Sequence, residues 1–96
     1  MKRPVVNLEI GSTMITIKFF SLIREAVEVE GLSLEWSPDL SSVAMVKAEL
    51  SQRGANWSDA LSHPNLIQAV NHKVVFEDNV VADGDELAFF PPMTGG

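Results

Sequence analysis

The sequence predicts an α+β domain in which one main helix packs across a mixed sheet. Three observations predict it: an alternating strand near the start, helical spacing in the middle and a second alternating strand close to the end. The first strand is Met14-Ile15-Thr16-Ile17-Lys18-Phe19-Phe20, which sets Ile15, Ile17 and Phe19 on one face and Thr16, Lys18 and Phe20 on the other. A second β-type run, Val27 to Trp36, carries Val27, Val29, Leu32, Leu34 and Trp36. Gly31 interrupts its alternation, which predicts a bulge or turn there and places the strand itself within Leu32 to Trp36. After Pro38, the residues Val43, Val46 and Leu50 fall at the i, i+3 and i+7 spacing of a helix face. They predict a helix over 42–53, N-capped by Ser41 or Ser42 and closed by Gly54 at the C′ position. A shorter helical piece, Trp57 to Leu61, ends before Pro64, and Ile67 to Val70 and Lys73 to Phe76 return to strand-like composition. The last strand, Glu86 to Phe90, is introduced by the turn signal Asp83-Gly84-Asp85. It is stopped by Pro91-Pro92, which have no N–H to donate to a ladder.

Crossing from the second strand by way of the helix predicts a β-grasp arrangement, with the first and last strands as parallel neighbours at the centre. The chain divides into an N-terminal extension over 1–13, a domain over 14–92 and a short, flexible tail over 93–96. A chain of 96 residues, 46% apolar and 21% charged, is long and apolar enough to bury one core. Its net charge of -6 repels phosphate backbones and anionic membrane surfaces, which argues against nucleic acid and membranes as partners. No apolar run approaches a membrane span of about 20 residues, and the opening residues are too polar for a signal-peptide core, so the expected location is cytoplasmic.

The sequence contains no cysteine, which removes disulfides, thiolate metal sites and thiol nucleophiles together. His63 and His72 have no third candidate ligand at a regular spacing, so they are expected as solvated surface residues and no metal site is expected. The five acids from Glu77 to Glu86 do not follow the ligand positions of an EF-hand loop. Neither a nucleophilic-serine motif nor a Gly-rich phosphate loop is present.

What remains is the end of the chain, Phe89-Phe90-Pro91-Pro92-Met93-Thr94-Gly95-Gly96. The prolines extend the backbone away from the sheet, and the two glycines carry no Cβ to obstruct a narrow channel. A glycine carboxylate is unhindered, so adenylation by ATP and displacement by a sulfur nucleophile would meet little resistance there. A glycine pair alone is more often the mark of an unstructured terminus.

Together with Asp83-Gly84-Asp85-Glu86, Ala69-Val70-Asn71, Phe19-Phe20 and Arg24-Glu25, this terminal segment resembles the MoaD/ThiS family of ubiquitin-like sulfur carriers, over about 14–96. The resemblance implies a β-grasp fold, no permanently bound cofactor, and a Gly96 that an E1-like enzyme adenylates with ATP and that is converted to a thiocarboxylate. Gly95 would give steric access. In the molybdopterin branch, the implied partner is the large subunit of the synthase, in a heterotetramer, where the thiocarboxylate donates sulfur to a pyranopterin precursor. The chain would then be the sulfur-donating subunit and not the seat of the catalytic bases. The segment Ser51 to Pro64 with Trp57, and the Pro-Pro pair, favour that branch over the thiamin-pathway relative, which is typically shorter through the middle. A ubiquitin-like protein modifier and an interaction domain with an inert tail stay open as readings. Residues 1–13 depart from the family pattern without touching a site residue.

The alternation also predicts where partners dock. Burial of Ile15, Ile17, Phe19, Leu87 and Phe89 against Val43, Val46 and Leu50 turns Phe20 and Phe90 outward, at adjacent strand ends beside the root of the tail. Phe20 and Phe90 are therefore expected as anchors, with Arg24 at their rim and Pro91, Pro92, Met93 and Thr94 leading into the partner. Trp36 and Trp57 are expected to pack.

Overall fold

The computed structural model describes residues 13–92. Residues 1–12 of the expected extension, the expected tail over 93–96 and the roles expected of Met93, Thr94, Gly95 and Gly96 lie outside the described residues. Five strands form one sheet: β1 (Met14–Phe19), β2 (Gly31–Glu35), β3 (Ile67–Val70), β4 (Lys73–Val75) and β5 (Glu86–Phe90), in the order β2-β1-β5-β3-β4. The pair β1 and β5 is parallel, and the other three neighbouring pairs are antiparallel. Among the described residues three α-helices accompany the sheet, α1 (Ser21–Val27), α2 (Val43–Ser51) and α3 (Ala55–Leu61), with a short 3₁₀ turn at Pro38–Leu40.

The first and last strands are thus the central parallel pair of the expected β-grasp arrangement, and all eight expected core residues are buried: Ile15, Ile17, Phe19, Val43, Val46, Leu50, Leu87 and Phe89. Trp57 closes this core edge-on to Phe19, with ring centroids 5.5 Å apart. Trp36 packs against its margin, and its indole N–H donates to the Val81 carbonyl at 3.1 Å. Both tryptophans pack, as expected.

Four local readings are corrected. Val27 belongs to α1, not to a β run: it lies four residues after Ile23, and both side chains bury on the face that α1 turns to the core. The expected main helix and the expected shorter piece, which is α3, are therefore joined by an unexpected helix between the first two strands. Gly31 makes no bulge; it pairs in register with Lys18, and a Cβ there would stand 2.7 Å from the Ile17 carbonyl oxygen, so the strands approach where only glycine fits. Gly54 does not close α2, which ends at Ser51 with Gln52 as C-cap; Gly54 is the N-cap of α3. Phe76 lies just past the end of β4 and is 92% exposed.

Ser42 is the N-cap of α2, its hydroxyl accepting from the Met45 N–H at 3.2 Å. The acidic loop contributes a second cap. Asp78 Oδ1 accepts from the Ala44 N–H at 2.9 Å, and the Asn79 carbonyl accepts from the Val43 N–H at 3.0 Å. Two more of the orphan donors at the helix start are satisfied from a distant loop, which fastens that loop across the sheet's helix-bearing side.

Candidate partner-docking site at the end of the central strands

The register of β1 and β5 builds this site. Phe19 pairs with Phe89 across the parallel ladder, so alternate residues of both strands point the same way. The Phe20 N–H donates to the Phe89 carbonyl at 3.1 Å, which carries the alignment one residue past the end of β1. Phe19 and Phe89 face the helices, while Phe20 and Phe90 face away and stack with centroids 4.6 Å apart and planes 5° from parallel.

Below the stacked rings is a shallow concavity of about 260 Å³. Its floor is Ala69 beside Ala88, a directly paired couple too small to fill the space, and Val74 of β4 forms one side. At the far margin, Glu86 Oε2 stands 3.7 Å from Lys18 Nζ and 3.9 Å from His72 Nε2. Such exposed pairs add little stability. Apolar floor, aromatic wall and charged margin together resemble the centre and rim of a protein interface.

Of the expected site residues, the structure brings Phe20 and Phe90 together. Arg24 is exposed on α1 but does not line the concavity. Pro91 and Pro92 continue β5 without joining the sheet, and Pro92 borders a larger cleft of about 860 Å³ on the other side of β4. His63 and His72 are both exposed, and among the described residues no group of three or more His, Asp or Glu is placed to hold a metal ion. Among the described residues, too, no helix is long and apolar enough to cross a membrane.

Two of the motifs behind the family resemblance prove structural. Asn71 Nδ2 donates to Asp85 Oδ1 at 2.9 Å, Asn71 Oδ1 accepts from the Glu86 N–H at 2.9 Å, and Asp85 Oδ2 accepts from the Ala82 N–H at 2.8 Å. Asn71 holds φ at 51° to turn β3 into β4, a backbone region that asparagine tolerates better than most residues. This clip secures the start of β5, the end of the strand opposite Phe90.

A five-stranded mixed sheet with a parallel central pair of first and last strands, helices across one face and the other face left open defines a β-grasp, ubiquitin-like protein. The chain belongs to the ThiS family, whose model matches residues 17–96. It is 37% identical over 83 residues to the molybdopterin synthase sulfur carrier subunit of Haemophilus influenzae, covering 86% of this chain and 100% of that one. The Escherichia coli protein of the same name matches at the same identity and coverage. Among solved structures, the small archaeal modifier protein 1 from Methanosarcina acetivorans superposes with a TM-score of 0.68 at 20% identity, covering 88% of this chain and 97% of that one, and supports the fold alone.

Proposed function

We propose that this chain is the sulfur carrier of a molybdopterin synthase, with Gly96 as the reacting residue. The observation that carries this reading is the 37% identity to two proteins of that name over the whole of their length. The family match runs through Gly95-Gly96, and a cysteine-free chain can carry sulfur only as an acyl derivative.

In this reading an E1-like enzyme binds the stacked Phe20 and Phe90. A Gly96 carboxylate oxygen attacks the α-phosphorus of ATP, and pyrophosphate leaves. Sulfide from a sulfur donor then attacks the carbonyl carbon and displaces AMP, which leaves a thiocarboxylate. The loaded chain moves to the large synthase subunit, in a heterotetramer, with Pro91 to Thr94 threading its channel and Gly95 keeping the approach free of any Cβ. There the thiocarboxylate sulfur bonds to a carbon of a pyranopterin precursor and displaces that carbon's oxygen substituent, and water then hydrolyses the resulting thioester, which leaves the sulfur on the precursor and restores the Gly96 carboxylate. ATP is a substrate of the activating enzyme, the catalytic bases belong to the partners, and the cycle runs in the cytoplasm.

Intact-mass spectrometry after incubation with the activating enzyme, ATP and a sulfur source tests the reading. The full chain should replace one oxygen by sulfur, and the variant lacking Gly96 should remain unchanged and folded. Unimpaired loading of that variant would overturn the carrier role.

A further inference from the structure

We infer that the large subunit's footprint does not stop at the stacked phenylalanines but crosses the β4 edge to Phe76, which adds a second anchor in the neighbouring cleft. The inference rests on the reading that Gly96 reacts inside that subunit. Four residues separate Pro92 from the end of the sequence, and four extended residues span at most about 14 Å. A partner that encloses Gly96 must therefore bring its walls down to the domain surface around Pro92.

That surface has two concavities, one on each side of the strand root. Phe90 lines the sheet-face concavity, Pro92 lines the larger cleft, and Val74, half exposed, lines both. The two share Val74 as a lining residue, so a wall resting on Phe20 and Phe90 that continues over Val74 enters the cleft. There it meets Phe76, the most exposed large apolar residue among those described. A phenyl ring with almost no intramolecular contact contributes little to the fold, and covering it releases apolar surface from water. Lys47 and His63 also line this cleft, so a partner able to fill it presents an apolar side chain to Phe76 with a hydrogen-bonding group beside it.

The test compares the full-length wild type, Phe76→Ser and Val80→Ser in calorimetric titrations with the large subunit of a molybdopterin synthase. Val80 is comparably apolar and 73% exposed but lines neither concavity. Phe76→Ser should weaken binding by at least about tenfold, as expected for an aromatic anchor, with its melting temperature unchanged. Val80→Ser should bind as the wild type does. Wild-type affinity for Phe76→Ser, or equal losses for both variants, overturns the second anchor while leaving the carrier role standing. A wild-type chain that does not bind the large subunit overturns both.

Discussion

Two stacked phenylalanine pairs sit back to back on the same two strands. Phe19 and Phe89, with centroids 6.2 Å apart, lie wholly inside, and Phe20 and Phe90, one residue further along each strand, lie on the open face. The side-chain type is the same, Phe20 and Phe90 each follow directly on a member of the inner pair, and the difference in burial follows from the parity of the position. The inner pair spends its apolar area on folding, against Trp57 and the helices. The outer pair leaves part of its area in water, where a partner can still cover it.

The sharpest way to break this comparison is to truncate one ring on each side. Phe89→Ala should lose about 3 to 5 kcal/mol of stability in urea unfolding, the usual cost of emptying a fully packed aromatic site. Phe90→Ala should lose less than about 1 kcal/mol, yet weaken binding to the large subunit by about tenfold or more. Equal stability losses would show that the outer pair belongs to the core after all. An intermediate effect is expected at the other end of β5, where Asp85→Ala strips the acceptor from both the Asn71 amide and the Ala82 N–H. A cost of about 1 to 3 kcal/mol is expected there, with binding of the large subunit unchanged once the variant is folded. The smallest effect belongs to the charged margin. Lys18→Met should shift stability by less than about 0.5 kcal/mol, because its ion pair with Glu86 is half exposed; a larger loss would mean that the open face also supports the fold.

The parity on which this comparison turns is readable in the sequence, because strict alternation over Ile15 to Phe19 and Leu87 to Phe89 leaves one assignment of inside and outside. The same holds for α2, whose buried Val43, Val46 and Leu50 keep the spacing of one face. What escaped were features without a local signal. Helix α1 spans only seven residues, starts after Phe20 with no side-chain cap, and ends at Glu28 in the left-handed region where glycine would have announced a stop. With its caps silent, Val27 merges with Val29 and Leu32 into an apparent strand. The capping of α2 by Asp78 joins residues 34 apart in sequence, so the acidic loop reads only as a solvated run. Of the site, Phe20 and Phe90 follow from alternation, whereas the cleft beside Pro92 depends on how the α3–β3 connection and the residues after β4 approach each other, and no periodicity encodes that approach.

The pairing of the first strand with the last has a kinetic consequence. Residues 16–19 find 86–89 only after nearly the whole domain is available, and closing so long a loop is an early entropic cost that contacts within each hairpin do not share. Phe20 and Phe90 come from opposite ends of the chain and meet only when that closure is complete. A nascent or partly folded chain can carry the terminal glycines, but it has no stacked pair for an enzyme to grip. Under the proposed function, recognition through those two rings would check that the domain has folded before the Gly96 carboxylate is activated.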